Sequence, residues 1–307
     1  MKLSVCIFTF NHEQYIAQTI ESVLRQITHF DFEIVIGEDC STDGTAEIVR
    51  AYQERYPQKI RAVLNTINKG MMQNNADTIL QCRGELIALL DGDDYWTYPF
   101  KLQRQAELLD KERSCTICFH DAAVLNINGQ FEDNLTCCSN LKRTIYRFTD
   151  IISDVSILTN SIMFRRSALA GYPPDWFFTL NAPDRPLYLL LSAVGSAYYF
   201  KACWSVYRKH PGGTWTGQHY QSRWLTHLKI FRTVDRHFDF RFTYSFRRSE
   251  RLICCLLAYD LLKDNKIKRA VLFFKRALGL HHHKICINRM TLRFLIMLAG
   301  RTRWSPR

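Results

Sequence analysis

Leu3–Thr9 is a near-continuous apolar run, the pattern of a strand covered on both faces. Tyr15, Ile16, Ile20, Val23 and Leu24 then recur at helical spacing, with Asn11 placed to cap that helix. Glu33–Gly37 predicts a second strand. Ser41, Thr42 and Asp43 predict a turn, with Thr42 and Asp43 capping a helix through Tyr52. Lys59–Leu64 reads as a third strand, residues 71–82 as a weakly patterned helix, and Glu85–Leu90 as a fourth strand. Pro99 fits the first turn of a helix through Leu109, and Thr116–Leu125 is a fifth strand. Strands alternating with helices predict parallel βαβ units with right-handed crossovers.

The pattern turns irregular over residues 126–183, with a short strand expected at Ser161–Arg165. Asp184–Ala193 reads as a helix and Tyr198–Arg208 as one or two strands. From about Gln218 the chain reads as helix with Lys and Arg on the polar faces, including a pair over Arg251–Lys263 and Lys266–Leu278. The expected division is therefore 1–217, an α/β domain, and 218–307, a basic helical region.

In sheets of this kind ligands bind beyond the carboxyl ends of the strands. Two acidic clusters fall there. Asp91-Gly92-Asp93-Asp94 follows the fourth strand. Three carboxylates so close repel one another unless water or a cation offsets them, and hard oxygen ligands suit Mg²⁺ or Mn²⁺. A solvated acidic turn is the plainer alternative. Glu38-Asp39 follows the second strand, and a carboxylate fixed there can accept hydrogen bonds from a base or a ribose; a capping turn is the plainer alternative for Thr42 and Asp43.

Cys6-Ile7-Phe8-Thr9-Phe10-Asn11, Glu38-Asp39-Cys40-Ser41-Thr42-Asp43-Gly44-Thr45 and Gly84 to Trp96 resemble, in order and spacing, the family 2 glycosyltransferases of GT-A fold. The resemblance covers about residues 1–215. It implies a Rossmann-like, mostly parallel sheet flanked by helices, and sugar transfer from a nucleotide-sugar to an acceptor with inversion and a divalent metal, Mn²⁺ or Mg²⁺. By position it puts Thr9, Asn11 and Asp39 at the donor nucleotide. Asp91 falls near the ribose or the metal, Asp93 on the metal, and Asp94 beside them as a companion. Phe10 and Trp96 are expected to pack rather than stack on a ligand. Three departures stand out: Phe8 where Pro is usual, Cys40 where Gly is usual, and Asn74-Asn75 in place of an Arg-Asn pair, for which Lys69 is the compensating cation.

Two further segments resemble the same family. Asp184, at the start of its predicted helix, matches the acidic residue that acts as general base on the acceptor hydroxyl; a helix cap is the alternative, and Asp175 the alternative base. Tyr207-Arg208-Lys209-His210 precedes Pro211-Gly212-Gly213-Thr214, a loop able to close over a donor. There His210 is a candidate for the metal or a phosphate, and Arg208 or Lys209 for the pyrophosphate.

Composition adds compartment and partners. Residues 1–200 carry 18 Lys+Arg against 24 Asp+Glu, a balance of −6, and residues 201–307 carry 23 against 5, a balance of +18. An acidic body with a basic tail argues against a nucleic-acid coat. Eleven cysteines, an odd number set mostly in apolar runs, suit a reducing cytosol rather than a disulfide framework. The start at Met1 runs straight into a strand pattern, which predicts no secretory leader, and no 18-residue apolar stretch predicts a spanning helix. Cys115 and Cys118 fall on a predicted strand and point to opposite faces, which argues against zinc; Cys137-Cys138 and the His281–His283 tract are weaker still. No dinucleotide or P-loop motif occurs.

The basic tail leaves two readings open: a solvated appendage, or attachment to an anionic membrane surface by helices such as Arg289–Ala299. The resemblance thus implies a cytoplasmic enzyme, or one peripheral on the cytoplasmic face of the inner membrane. It would act on a saccharide or lipid-linked saccharide in bacterial surface polysaccharide assembly. The competing class is a non-catalytic nucleotide- or polysaccharide-binding module on the same fold.

Overall fold

The computed structural model describes residues 1–132, 141–153, 155–213 and 217–279. Cys137-Cys138, Thr214, the His281–His283 tract and the expected helix over Arg289–Ala299 lie outside them. The chain falls into two units, Met1–Gly217 and a second beginning at Gln218.

In the first unit β1 (Leu3–Thr9) is wholly buried, as its apolar run requires. It pairs in parallel with β2 (Phe32–Glu38) and β4 (Leu86–Asp91), which sets Thr9 opposite Glu38 and Phe8 opposite Asp91. β3 (Ile60–Leu64) extends the sheet beside β2. The connecting helices are α1 (Ile16–Leu24), α2 (Thr45–Arg55), α3 (Met71–Gln81) and α4 (Lys101–Lys111), the last starting two residues beyond Pro99. Ile16, Ile20 and Val23 of α1 and Leu102, Ala106 and Leu109 of α4 join Val5, Ile7, Ala88 and Leu90 of the strands in one core. On α3, close approach to the sheet depends on Gly37, where a Cβ would lie 1.9 Å from Thr78 Oγ1.

Beyond β4 the sheet becomes mixed. β5 is Tyr95–Trp96, β6 Cys115–Leu125, β7 Ile145–Tyr146, β8 Met163–Arg165 and β9 Ser196–Arg208. The strand order is β3-β2-β1-β4-β8-β6-β9-β5, with β7 also on β9. Thus β6 is not the neighbour of β4: β8 lies between them, antiparallel to both. A three-residue strand has no periodicity of its own, so its pairing is set by its neighbours. β9 is one strand, parallel to β6 with register shifts around Asp121. α5 (Phe148–Ser153) and α6 (Asp184–Val194) complete the unit.

Two expected caps differ. Asn11 adopts a φ of 55° and spends its side chain on the 41–43 turn, so α1 begins at Ile16 with no side-chain cap. α2 begins at Thr45, whose N–H donates to Asp43 Oδ1 at 3.0 Å; Thr42 instead donates its N–H to Asn11.

The second unit holds α7 (Tyr220–His237), α8 (Thr243–Lys263) and α9 (Ile267–Gly279). α8 starts eight residues before the expected helix, and Ala258 and Phe274 pack together with Leu262, Phe273 and Leu278. Among the described residues no helix is long and apolar enough to cross a membrane.

Candidate functional site at the carboxyl ends of the strands

β1, β2 and β4 end side by side, which brings Thr9, Asp39 and the Asp91–Asp94 turn together. The turn is tied from below. Gly92 donates its N–H to Phe8 O at 2.7 Å, and Thr19 Oγ1 of α1 lies 2.9 Å from Gly92 O and 2.7 Å from Asp94 O. A Cβ on Gly92 would lie 2.6 Å from Thr9 Oγ1 and 2.8 Å from His12 Nδ1, so only glycine lets β4's turn approach β1's end this closely.

The three carboxylates do different things. Asp94 is 1% exposed; its Oδ1 accepts the Arg208 N–H and its Oδ2 accepts Asn160 Nδ2, both at 2.8 Å. Burial, with the charges of Asp93 and Asp91, holds its carboxyl well above the ordinary range despite those bonds. Asp94 therefore fastens β9 and the Thr159–Ser161 turn to β4. Asp93 Oδ2 lies 2.9 Å from His210 Nε2 and 3.9 Å from His12 Nε2. Burial alone would raise the Asp93 carboxyl, but the His210 hydrogen bond and the two imidazoles outweigh it and hold it below the usual value. Asp91 turns the other way. Burial, then the charges of Asp93 and Asp184, push its carboxyl up to about 8, against a hydrogen bond with Thr159.

The ligand atoms of His12, Asp93 and His210 lie within 4.8 Å of one another. Two imidazoles and a carboxylate fit a divalent cation. The group gathers the expected Asp93 and His210 but not Asp91, which faces Thr159 and Asp184 instead. His12 was not among the residues singled out in the sequence; it directly follows Asn11 beyond β1, the position that strand-end logic marks. Burial lowers its pKa, with the Asp93 charge opposing.

Asp184 begins α6, and burial raises its carboxyl. Tyr188 of the same helix reaches Thr159 Oγ1 at 3.3 Å, beside Asp91. The structure thus brings Asp184 to the acidic turn, whereas Asp175 is exposed on a short turn over Asp175–Thr179.

At the end of β2, where a nucleotide was expected, Asp39 is buried. Its Oδ1 accepts Asn65 Nδ2 and the Lys69 N–H, and its Oδ2 accepts the Gly70 N–H, at 2.9–3.1 Å. It closes the 65–70 loop over β2's end and keeps lone-pair capacity for one more donor. Asn11 Oδ1 accepts the Thr42 N–H at 2.8 Å, so its amide joins two loops. Cys40 adopts a φ of 58°, the left-handed conformation that explains a usual Gly at this place. Asn74, where an Arg is frequent, is buried and donates to Gly37 O.

The cations expected at a pyrophosphate are engaged elsewhere. Lys69 Nζ pairs with Asp77 at 2.8 Å, and it is the Lys69 backbone N–H that faces Asp39. Lys209 pairs with Glu132. Arg208 donates to Asp93 O and Gln18, with its guanidinium over the rings of Tyr15 and Tyr95. Phe10 is exposed, while Trp96 is buried and donates Nε1 to Asn160 O at 2.8 Å. Thr19, which bonds the turn's carbonyls, and Thr159 and Asn160, which bond Asp91 and Asp94, carry no motif in the sequence.

Residues 4–172 match the glycosyl transferase family 2. An uncharacterized protein of Mycobacterium tuberculosis is 32% identical over 219 residues, 69% of this chain and 60% of that protein. TarS of Staphylococcus aureus, a poly(ribitol-phosphate) beta-N-acetylglucosaminyltransferase, is 35% identical over 96 residues, 31% of this chain and 17% of its own. The structure of TarS residues 1–349 with UDP-GlcNAc superposes at a TM-score of 0.59 and 17% identity, covering 94% of this chain and 95% of that one. The Pyrobaculum calidifontis mannosyltransferase PcManGT, solved with GDP-Man and Mn²⁺, gives 0.55 and 14%, covering 98% and 86%. At these identities the structural likeness is one of fold.

Proposed function

The chain belongs to glycosyl transferase family 2 and carries the GT-A fold, and from that premise we propose that it is a metal-dependent, inverting glycosyltransferase. Its donor is a nucleoside diphosphate sugar. Its acceptor is a saccharide or lipid-linked saccharide of a bacterial surface polysaccharide. The observation that carries this reading is the meeting of Asp93 and His210, 2.9 Å apart from distant segments at the sheet's carboxyl end, with Asp91 and Asp184 near enough for their charges to interact.

In this reading Asp39 accepts an N–H of the base, and Thr9 and Asn11 line the nucleotide largely through backbone. Asp91 takes ribose hydroxyls. Asp93 and His210 hold the divalent ion, which when bound offsets charge developing on the leaving diphosphate. Asp184 takes the acceptor hydroxyl proton as oxygen bonds to the anomeric carbon. The bond from that carbon to the phosphate oxygen breaks, and its electron pair leaves with the nucleoside diphosphate. A single in-line displacement inverts the carbon. Burial raises the Asp184 carboxyl toward the range where a carboxylate serves as a base.

Residues 1–217 are the catalytic unit. The basic region from 218 serves to bring the enzyme to an anionic, lipid-bearing surface. The engagement of Lys69, Arg208 and Lys209 within the protein favours one competing reading, a binding module without turnover. The Asp184→Asn variant tests the catalytic reading. It is expected to bind the donor as the wild type does, by thermal shift across a panel of nucleotide-sugars, and to lose transfer. Wild-type transfer in that variant removes Asp184 as the base.

A further inference from the structure

We propose that His12 is a third protein ligand of the divalent ion held at Asp93, so that the ion sits among two imidazoles and one carboxylate. This rests on the reading of the strand-end site as a metal site. His210 Nε2 and His12 Nε2 approach the same oxygen, Asp93 Oδ2, at 2.9 and 3.9 Å. Neighbouring ligand atoms stand about 3 Å apart around a six-coordinate ion with bonds of ~2.1 Å. The first contact already has that spacing, and the second needs a shift of roughly 1 Å, which an imidazole gains by a small side-chain rotation.

The rest of the surroundings hold His12 for this task. Its backbone N–H donates to Thr45 Oγ1 at 2.8 Å, so the residue is anchored to the start of α2. Its Nδ1 lies 3.3 Å from Thr9 Oγ1, which leaves Nε2 as the nitrogen turned to Asp93. An outer contact on the second nitrogen is how ligating imidazoles are commonly oriented. The bare Cα of Gly92 provides the space: any Cβ there would meet His12 Nδ1 at 2.8 Å and push the ring away. The rings of His12 and His210 stand edge to face, centroids 5.9 Å apart, with Asp93 reached by both.

A second imidazole changes which ion is preferred. Imidazole favours transition ions over Mg²⁺, whereas carboxylate and water do not. The site therefore selects Mn²⁺ or Co²⁺ over Mg²⁺, and His12 sets that selectivity.

The test uses the untagged full chain without donor. Mn²⁺ binding is followed by the electron paramagnetic resonance of free Mn²⁺, and nitrogen couplings to the bound ion are counted by pulsed resonance. The wild type is expected to show two imidazole nitrogens. His12→Ala should show one, binding Mn²⁺ about tenfold or more weaker while Mg²⁺ affinity changes less. His210→Ala should also retain one, a result that does not depend on how His12→Ala folds. A single nitrogen in the wild type, with binding lost in Asp93→Asn, overturns the role of His12 and leaves the metal at Asp93. Binding that survives in Asp93→Asn, or no binding by the wild type, overturns both this inference and the metal site proposed above.

Discussion

Truncating Asp94 separates the structural carboxylate from the one proposed to hold the metal. Asp94→Ala removes two acceptors, for the Arg208 N–H and for Asn160 Nδ2, each at 2.8 Å in a site that is 1% exposed. A buried donor left without a partner costs about 1–3 kcal/mol, so two would cost about 2–6 kcal/mol. Removing a carboxyl that burial and two like charges already disfavour returns part of this, which places the expected loss at about 2–3 kcal/mol. For a unit of this size that is roughly 5–10 °C in Tm. Asp93→Ala also gives up a largely buried contact with His210, but it removes the charge that pushes the Asp91 and Asp94 carboxyls up, so it should cost less than Asp94→Ala while abolishing Mn²⁺ binding. Urea unfolding and Mn²⁺ titration of both variants make the comparison. If Asp94→Ala unfolds with the wild type, or Asp93→Ala loses as much stability, the division of labour within Asp91–Asp94 is wrong.

Gly37→Ala should destabilise by about 1–3 kcal/mol, because the new Cβ would meet Thr78 Oγ1 at 1.9 Å; adding Thr78→Ala should recover part of the loss in urea unfolding. Lys101 is fully buried with Nζ 2.7 Å from Gln105 Oε1 and 3.9 Å from the Trp96 ring, and burial lowers its pKa to about 7. Between that value and the ordinary 10.5 the unfolded chain binds the extra proton, so stability rises with pH across this window. Measured against Lys101→Met from pH 7 to 10, the wild type should gain on the order of 1 kcal/mol per pH unit; a flat difference would mean that Lys101 stays charged when buried.

The strands at the centre of the sheet were legible because β1 and β4 are buried on both faces and so read as apolar runs. The acidic turns were legible because they follow those runs directly, and α/β sheets bind ligands there. The rest depended on contacts that sequence spacing does not encode. β8 is three residues long and takes its direction from β4 and β6. Asn11 looked like a cap but bonds Thr42 between the loops that leave β1 and β2 at the sheet's carboxyl end. Lys69 and Arg208 looked like free cations, yet Asp77 holds the first, and the Asp93 carbonyl and Gln18 hold the second. Asn160 and Thr159, which organise Asp94 and Asp91, sit in the irregular stretch over 126–183, where neither period 2 nor period 3.6 marks a residue. His12 was the one within reach, since it lies three residues beyond β1 much as Asp93 lies two beyond β4.

We propose that this strand-end site turns over a nucleotide-sugar with a divalent ion at Asp93. Nucleoside diphosphate release from a donor panel, measured with Mn²⁺ and with chelator for the wild type and Asp93→Ala, tests it most directly. Release from at least one donor by the wild type with Mn²⁺, lost both on chelation and in Asp93→Ala, is the expected result. No release from any donor, or undiminished release by Asp93→Ala, would contradict it.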